Sequence, residues 1–527
     1  MKLYLLATKK LFPSPIVALL GLFLLFSAVP SNFALTSFSN AEASFFSNDL
    51  ELFEEVIGLV GDRYVYTPDY KKIFIGSIDE MISALTDKNI SLENKSSGQS
   101  ISTFDKNFRN KLSYNRESAL KTFKKAYYFL LKKSEGKLSK ESLEIAAVTG
   151  LMDSLDPYSK FMNADSFNKS IRDTEGKYGG LGMIISMRDN QLHVVKTIKN
   201  SPARRAGIQT DDIFKKINGL NIEKKQISEL AHELRGQPHT KVSLTLYRPS
   251  KKKNYSYTLK REIVLIETVE YQTLKNRVGS IKISSFSKQT NGQLKEALTK
   301  AKKDKIQGFI LDLRDNPGGL LEQSVKVASH FLHQNSLIVY TQGREQTDRQ
   351  EYNAQYQNDL HSIPIVILIN KYSASAAEIV AGALRDSGNA LIVGENSYGK
   401  GSVQTIFRTN NGSGIRLTTA KYYTPTGLDI TSQGIVPEVH IMRDHILKNS
   451  SEVSEQAKVK FLQSTSTSKI KLKGTQINKF IGENHNAVLK TPDPTFAFAK
   501  MLIENVSIAN KKKTLKKAQD LAANIHY

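Results

Sequence analysis

The 527-residue chain contains no cysteine. Disulfides, thiolate zinc sites and a cysteine nucleophile are thereby excluded. Its ten histidines are scattered, and none falls in a His-Glu-x-x-His spacing, which argues against a metalloprotease. Zinc-finger spacing and RNA-binding signatures are also missing. The net charge of +23 is therefore not read as a nucleic-acid footprint, and no nucleic-acid partner is expected. The run from Gly399 to Ser402 lacks the spacing of a phosphate-binding loop, because Gly401 separates Lys400 from Ser402. Beyond the N-terminus, no stretch is long and apolar enough to cross a bilayer. No metal and no cofactor is expected.

What is present is ordinary for a globular protein: 40% hydrophobic and 24% charged residues. The length suggests three or four domains of ~150 residues each. The first 43 residues read as a signal sequence, residues 1–43. Lys2, Lys9 and Lys10 form a basic start, an apolar run extends from Ile16 to Val29, and a small-residue site follows at Ala41-Glu42-Ala43. An uncleaved membrane anchor is the alternative. Either way the reading is export, to a bacterial periplasm or the outer face of the inner membrane.

Three textures follow. Residues 44–170 form an N-terminal helical region, with apolar positions at helical spacing in Leu52, Phe53, Val56, Ile57 and Val60, and again in Leu120, Phe123, Ala126, Tyr127 and Leu130. The polar stretch from Asn89 to Ser102 between them reads as a loop. Residues 171–262 are a β-rich module of short alternating strands such as Val242-Ser243-Leu244-Thr245-Leu246. Residues 263–445 carry unbroken apolar runs, Gly308 to Leu313, Ile363 to Ile369 and Ala390 to Val393, separated by helical patterns. Such runs fit strands buried on both faces of a parallel sheet, and the alternation gives an α/β multidomain fold. Residues 446–527 form a basic C-terminal tail, with fourteen lysines, no arginine and six acidic residues from Ile446. It reads as a solvated tail or terminal helix, with peripheral contact to an anionic membrane as the sharper alternative.

The chemistry concentrates where the buried strands end. Ser373-Ala374-Ser375-Ala376 lies between one such strand and an amphipathic helix. A helix start offers free amides and a positive dipole end that favour an oxyanion, although a lone serine there is also an ordinary cap. After the next strand, Lys400 stands between Gly399 and Gly401, with Gln404 four residues on. After another comes Asn316-Pro317-Gly318-Gly319, whose glycines can turn amides toward an anion or simply make a turn. Carboxyl ends of parallel strands are where open α/β sheets place their sites.

Together these motifs resemble the carboxy-terminal processing proteases, also called tail-specific proteases. The resemblance carries Ser375 as nucleophile, Lys400 as general base and Gln404 as the residue that orients the lysine. It places the oxyanion hole at the amides of Gly318 and Ala376, and it implies a catalytic core of the crotonase/Clp-like spiral type. Ala377 departs from the pattern, which often has a second serine there. Tyr178-Gly179-Gly180-Leu181-Gly182-Met183 looks like the carboxylate-binding loop of a PDZ domain, with Gly180, Leu181, Gly182 and Met183 as peptide-binding residues. Ser201 to Ile208 and Asp212 to Gly219 look like its core. Leu155-Asp156-Pro157-Tyr158-Ser159 and Tyr422-Tyr423-Thr424-Pro425 also fit.

The resemblance implies an exported serine endopeptidase that cleaves cell-envelope proteins near apolar C-termini, with an adaptor or anchoring protein as a further partner. The competing class is a catalytically inactive PDZ scaffold or chaperone of the cell envelope, against which Ser375, Lys400 and Gln404 speak together. Acyl-CoA-handling enzymes share the spiral but not the module or the leader. The chemistry is coherent in itself. A neutral lysine can deprotonate a serine, and lowering its pKa by ~3 from ~10.4 costs roughly 4 kcal/mol, which burial must supply.

Overall fold

A computed structural model describes residues 50–85, 91–95, 98–102, 107–110, 115–223, 225–357, 360–431, 433–440 and 493–505. The leader reading and most of the basic tail lie outside the described residues. Among those described, no helix is long and apolar enough to cross a membrane.

The N-terminal region contains α1 (Glu51–Arg63), α2 (Tyr70–Leu85), α3 (Arg116–Lys133) and α4 (Lys140–Asp153). The apolar positions at helical spacing are the ones buried. Phe53 stacks on Phe123 at 4.3 Å between ring centroids, with Phe74 alongside. The Asn115 and Ser139 side chains cap α3 and α4 by accepting backbone amides of the first turn. The stretch read as a loop is instead part of a three-stranded antiparallel sheet, β1 (Ser91–Lys95), β2 (Gly98–Ser102) and β3 (Asn107–Asn110), in register Ser91↔Ser102. A meander of this kind is held by backbone pairing. With only Leu92 and Ile101 as apolar residues in its first two strands, it gives almost no periodic signal. Next come β4 (Lys160–Met162) and α5 (Ala164–Glu175).

The β-rich module follows with β5 (Lys177–Gly180), β6 (Met183–Arg188), β7 (Gln191–Thr197), α6 (Pro202–Arg205), β8 (Ile213–Ile217), β9 (Leu220–Asn221), α7 (Ile227–Leu234), β10 (Lys241–Arg248), β11 (Lys253–Lys260) and β12 (Glu262–Leu265). Its main sheet runs β11-β10-β8-β7-β6, with β9 on β8. In β10, Val242, Leu244 and Leu246 face the core with alternating exposed neighbours, as period-two patterning requires. The chain enters through β5 and leaves through β12, and these two pair with each other, Gly180 opposite Glu262. The connections to the rest of the protein thus form one ribbon.

The third region holds β13 (Val269–Thr273), β14 (Val278–Ile283), α8 (Thr290–Lys303), β15 (Gly308–Asp312), α9 (Leu321–Ser329), β16 (Leu337–Gln342), β17 (Gln350–Asn353), β18 (Ile365–Ile369), α10 (Ala376–Asp386), β19 (Ala390–Gly394), β20 (Ser402–Arg408), β21 (Gly414–Tyr423) and β22 (Val439–His440). The main sheet is ordered β13-β14-β15-β18-β19-β22, antiparallel at β13 and parallel from β14 onward. All five residues of β15, β18 and β19 are buried, because both faces are covered. α9 and α10 join the core on one face. The other is covered by α11 (Pro494–Asn505), whose Phe498, Ala499, Leu502 and Ile503 pack on Val278, Ile310, Val366 and Leu368. This helix lies within the stretch read as a basic tail. It carries apolar residues on one face amid lysines, so composition averaged over the segment hides it. A second sheet, β17-β16-β21-β20, takes β4 onto β21, and Ile415 and Leu417 of β21 join the N-terminal helical core.

One buried ion pair organises the β-rich module. The Arg248 guanidinium donates from Nε and Nη2 to the two oxygens of Asp212, both at 2.7 Å, and Asp212 is 1% exposed. Removing one partner of such a pair strands a charge. Asp212→Ala is expected to destabilise the module by about 3–5 kcal/mol in urea unfolding. Arg188→Ala, which breaks an exposed pair with Asp211, should cost less than about 1 kcal/mol. Equal effects of the two substitutions would contradict this account.

Candidate active site

The loops after β15, β18 and β19 emerge side by side, because these strands are adjacent and parallel. The β15 loop brings Asn316 to Gly319, the β18 loop Ser375 and the β19 loop Lys400. The first two interlock through the Ala374 amide on the Asn316 carbonyl, 2.9 Å, and the Ser373 hydroxyl on the Leu313 carbonyl, 2.8 Å. The Tyr398 amide donates to the Ser373 carbonyl at 2.9 Å and ties in the third.

Ser375 sits immediately before α10 with φ 55° and ψ −115°. Positive φ is uncommon for a residue with a side chain, and holding it costs on the order of 1–3 kcal/mol. The neighbouring Glu378 supplies the restraint. Its fully buried carboxylate accepts the Ser375 amide at 2.7 Å, the Ser397 hydroxyl at 2.5 Å, the Gly399 amide at 2.7 Å and the Lys400 amide at 2.9 Å. One oxygen, Oε2, receives both the Ser375 and the Lys400 amides, so the Ser375 turn and the lysine loop meet on a single atom. Burial pushes the Glu378 carboxyl above its usual range, and the four hydrogen bonds pull it back. Glu378 was missed in the sequence reading, although Ser375-Ala376-Ala377-Glu378 has the Ser-x-x-Glu form of a capping box.

The Lys400 side chain is half-buried. Burial, and after it the Arg416 guanidinium, holds its amine below the ordinary lysine value, opposed by Glu378 and Asp156. Its Nζ lies over the Tyr158 ring, 5.2 Å from the centroid. Among the described residues it makes no hydrogen bond to Ser375 or to Gln404. The Gln404 carboxamide instead donates to the Ser402 carbonyl at 3.1 Å and its hydroxyl at 2.8 Å. Gly401 is forced by crowding: a Cβ there would fall 2.4 Å from the Thr431 hydroxyl.

Gly318 is packed against Ser375. With φ +97°, it would place a Cβ 2.7 Å from the Ser375 Cβ and 3.0 Å from the Ala376 nitrogen. Its amide, however, donates to Asn316 Oδ1 at 2.8 Å. The Ala376 amide has no acceptor among the described residues. Of the two amides expected at the oxyanion hole, one is therefore available and one is occupied by Asn316, a buried side chain also anchored to the Ile283 carbonyl at 2.8 Å. The Tyr422 hydroxyl completes the site. It is fully buried, and burial pushes its phenol well above the usual tyrosine range while the neighbouring Ser375 side chain draws it back. Asn316, Tyr158 and Tyr422 all lay inside recognised motifs, but nothing in their spacing marks them as part of the site.

In the β-rich module, Gly180 belongs to the β5–β12 ribbon, Leu181 is buried in the core, and Gly182, at φ +76°, gives its carbonyl to the Ile198 amide at 2.9 Å and the Ser201 hydroxyl at 3.1 Å. Met183 opens β6, which among the described residues pairs on one side only, with β7.

Comparison with known proteins agrees with this architecture. The model of peptidase family S41 matches residues 277–441 and that of the PDZ domain residues 193–248. A carboxy-terminal-processing protease of Bartonella bacilliformis is 40% identical over 298 residues, 56% of this chain and 68% of that protein. A CtpA-like serine protease of Staphylococcus aureus is 37% identical over 329 residues, 62% of this chain and 64% of that protein. Among solved structures, a photosystem II D1 C-terminal processing protease aligns with TM-score 0.41 at 22% identity, covering 75% of this chain and 93% of that one. The protein is a serine protease with a PDZ domain. The chain belongs to the carboxy-terminal-processing proteases of peptidase family S41.

The shared anchor at Glu378 has a measurable consequence. Glu378→Gln keeps the shape but turns an amide group toward backbone donors. Turnover of a fluorogenic peptide should fall about a hundredfold, as a displacement of about 1 Å does elsewhere, while circular dichroism stays parental. Near-parental turnover would show that the two loops hold their positions without this carboxylate.

Proposed function

We propose that the protein is an exported endopeptidase in which Ser375 attacks the scissile carbonyl and Lys400, neutral before attack, takes its proton. Gln404 orients the lysine, and the amides of Gly318 and Ala376 receive the oxyanion. The observation that carries the reading is Glu378 Oε2, which accepts both the Ser375 and the Lys400 amides and so keeps nucleophile and base on neighbouring backbone. Burial supports a base role, since it favours the neutral amine. For catalysis the amine must leave the Tyr158 ring and reach hydrogen-bond distance of the Ser375 hydroxyl, and the Gly318 amide must exchange Asn316 for the substrate oxygen.

The PDZ domain selects the substrate. The open edge of β6 offers unpaired backbone to an extended peptide, and the loop from Gly180 to Met183 lies at the start of that edge. The substrates are proteins of the cell envelope with apolar C-termini, and localisation is periplasmic or on the outer face of the inner membrane.

The dyad is tested by substitution and pH. Ser375→Ala should abolish cleavage of labelled casein. Lys400→Arg should do the same, because arginine keeps its proton. In the parent, kcat/KM should rise with pH as the amine deprotonates, with a midpoint below the ordinary lysine range because burial lowers it. Turnover in Lys400→Arg close to the parent would assign the base elsewhere. For the substrate end, peptides with apolar free C-termini should be cut faster than their amidated forms, and equal rates would remove the carboxylate from the recognition.

A further inference from the structure

The loop that carries Gly318 begins at Arg314, and Arg314 is gripped from two sides. Its Nε and Nη2 donate to Asp312, the last residue of β15, at 2.9 and 2.7 Å. Its Nη1 and Nη2 donate to both oxygens of Asp493, each at 2.7 Å, across 179 residues of sequence. Paired bonds from a planar guanidinium to a carboxylate fix orientation as well as distance. Asp493 stands directly before α11 and also accepts the Phe496 amide at 3.0 Å. The same carboxylate therefore caps the C-terminal helix and clamps the first residue of the active-site loop.

The helix is not loosely placed. Phe498, Ala499, Leu502 and Ile503 are buried on the strands that deliver the site. The ion pair, by contrast, borders a cavity of about 540 Å³ lined also by Glu270, Lys282 and Phe496, and the Asp493 side chain is 45% exposed. Apolar packing thus docks α11, and the charged contact at its edge is left to act on the loop. From Arg314 the chain runs through Asp315, which exchanges hydrogen bonds with Asn370 at 3.0 and 2.9 Å, and Asn316, which holds the Ala374 amide and the Gly318 amide. Movement at Arg314 is passed to Gly318 within four residues.

We propose that Asp493 and Arg314 are positioning residues for the oxyanion loop, through which the docked C-terminal helix sets the placement of Gly318 against Ser375. This rests on the reading of Gly318 as an oxyanion donor. A donor to the oxyanion acts in the transition state and leaves substrate binding alone, so its misplacement lowers kcat and kcat/KM together.

The test uses the full chain and a fluorogenic peptide with a free apolar C-terminus. Asp493→Asn, which preserves size and exposure, should lower kcat about ten- to hundredfold with KM within about twofold, and Asp493→Glu should recover most of the loss. Phe498→Ala, which weakens docking itself, should lower kcat in the same direction. Lys500→Ala on α11 should leave it parental. A parental kcat in Asp493→Asn overturns the proposal, as does a loss confined to KM or one that Asp493→Glu leaves uncorrected. Cleavage persisting in Ser375→Ala would instead defeat the dyad, so the two failures are distinguishable.

Discussion

The active site depends on one buried carboxylate. Glu378 is the third residue of α10, yet its four hydrogen bonds reach outside the helix or to its cap: Ser375, Ser397, Gly399 and Lys400. Burying a carboxylate is costly unless its lone pairs are filled, and here three backbone amides and a hydroxyl fill them. The arrangement is mutual. The carboxylate tolerates burial because two loops converge on it, and the loops converge because it accepts the Ser375, Gly399 and Lys400 amides. A strained Ser375 backbone is sustained by the same bonds.

That convergence requires the sheet. β15, β18 and β19 are adjacent, parallel and buried on both faces, so their carboxyl ends lie in a row and their loops are neighbours without further design. The covering layers matter equally. α10 supplies the cap at Ser375 from one face. α11 seals the other and reaches the β15 loop through Asp493. The N-terminal helices share a core with β21, and β21 ends at Tyr422 and Tyr423, which places the buried Tyr422 hydroxyl against Ser375. Segments far from the site in sequence therefore act on it through packing.

What could be read from the sequence follows from which interactions leave a periodic or compositional trace. Unbroken runs such as Ile365 to Ile369 announce a strand buried on both faces, and the alternation in Val242 to Leu246 announces one facing a single core. The strand-end positions of Gly318, Ser375 and Lys400 follow from those runs. The polar stretch from Asn89 to Ser102 reads as a loop, yet β1 and β2 lie in it, because backbone pairing needs no particular side chains. The segment around α11 is lysine-rich although the helix itself carries only Lys500, so averaged composition gives a solvated tail or terminal helix without marking the apolar face. At the site, Glu378 left a capping-box pattern, whereas the Asn316 side chain on the Gly318 amide, and the Lys400 amine over Tyr158, are long-range or rotamer-level choices with no local signature.

Those two contacts define the state of the site. An aromatic face attracts an ammonium by about 0.5–2 kcal/mol, favouring the charged lysine, while burial favours the neutral one. Over the Tyr158 ring, 5.2 Å from its centroid, the amine makes no hydrogen bond to Ser375 among the described residues. The Gly318 amide is likewise satisfied by Asn316. On the proposed dyad each group leaves a modestly favourable resting partner, the neutral amine for the Ser375 hydroxyl before attack and the Gly318 amide for the oxyanion as it forms. On that proposal the two resting contacts oppose non-productive activation of the serine, at a cost small against the electrostatic stabilisation that a formed oxyanion receives.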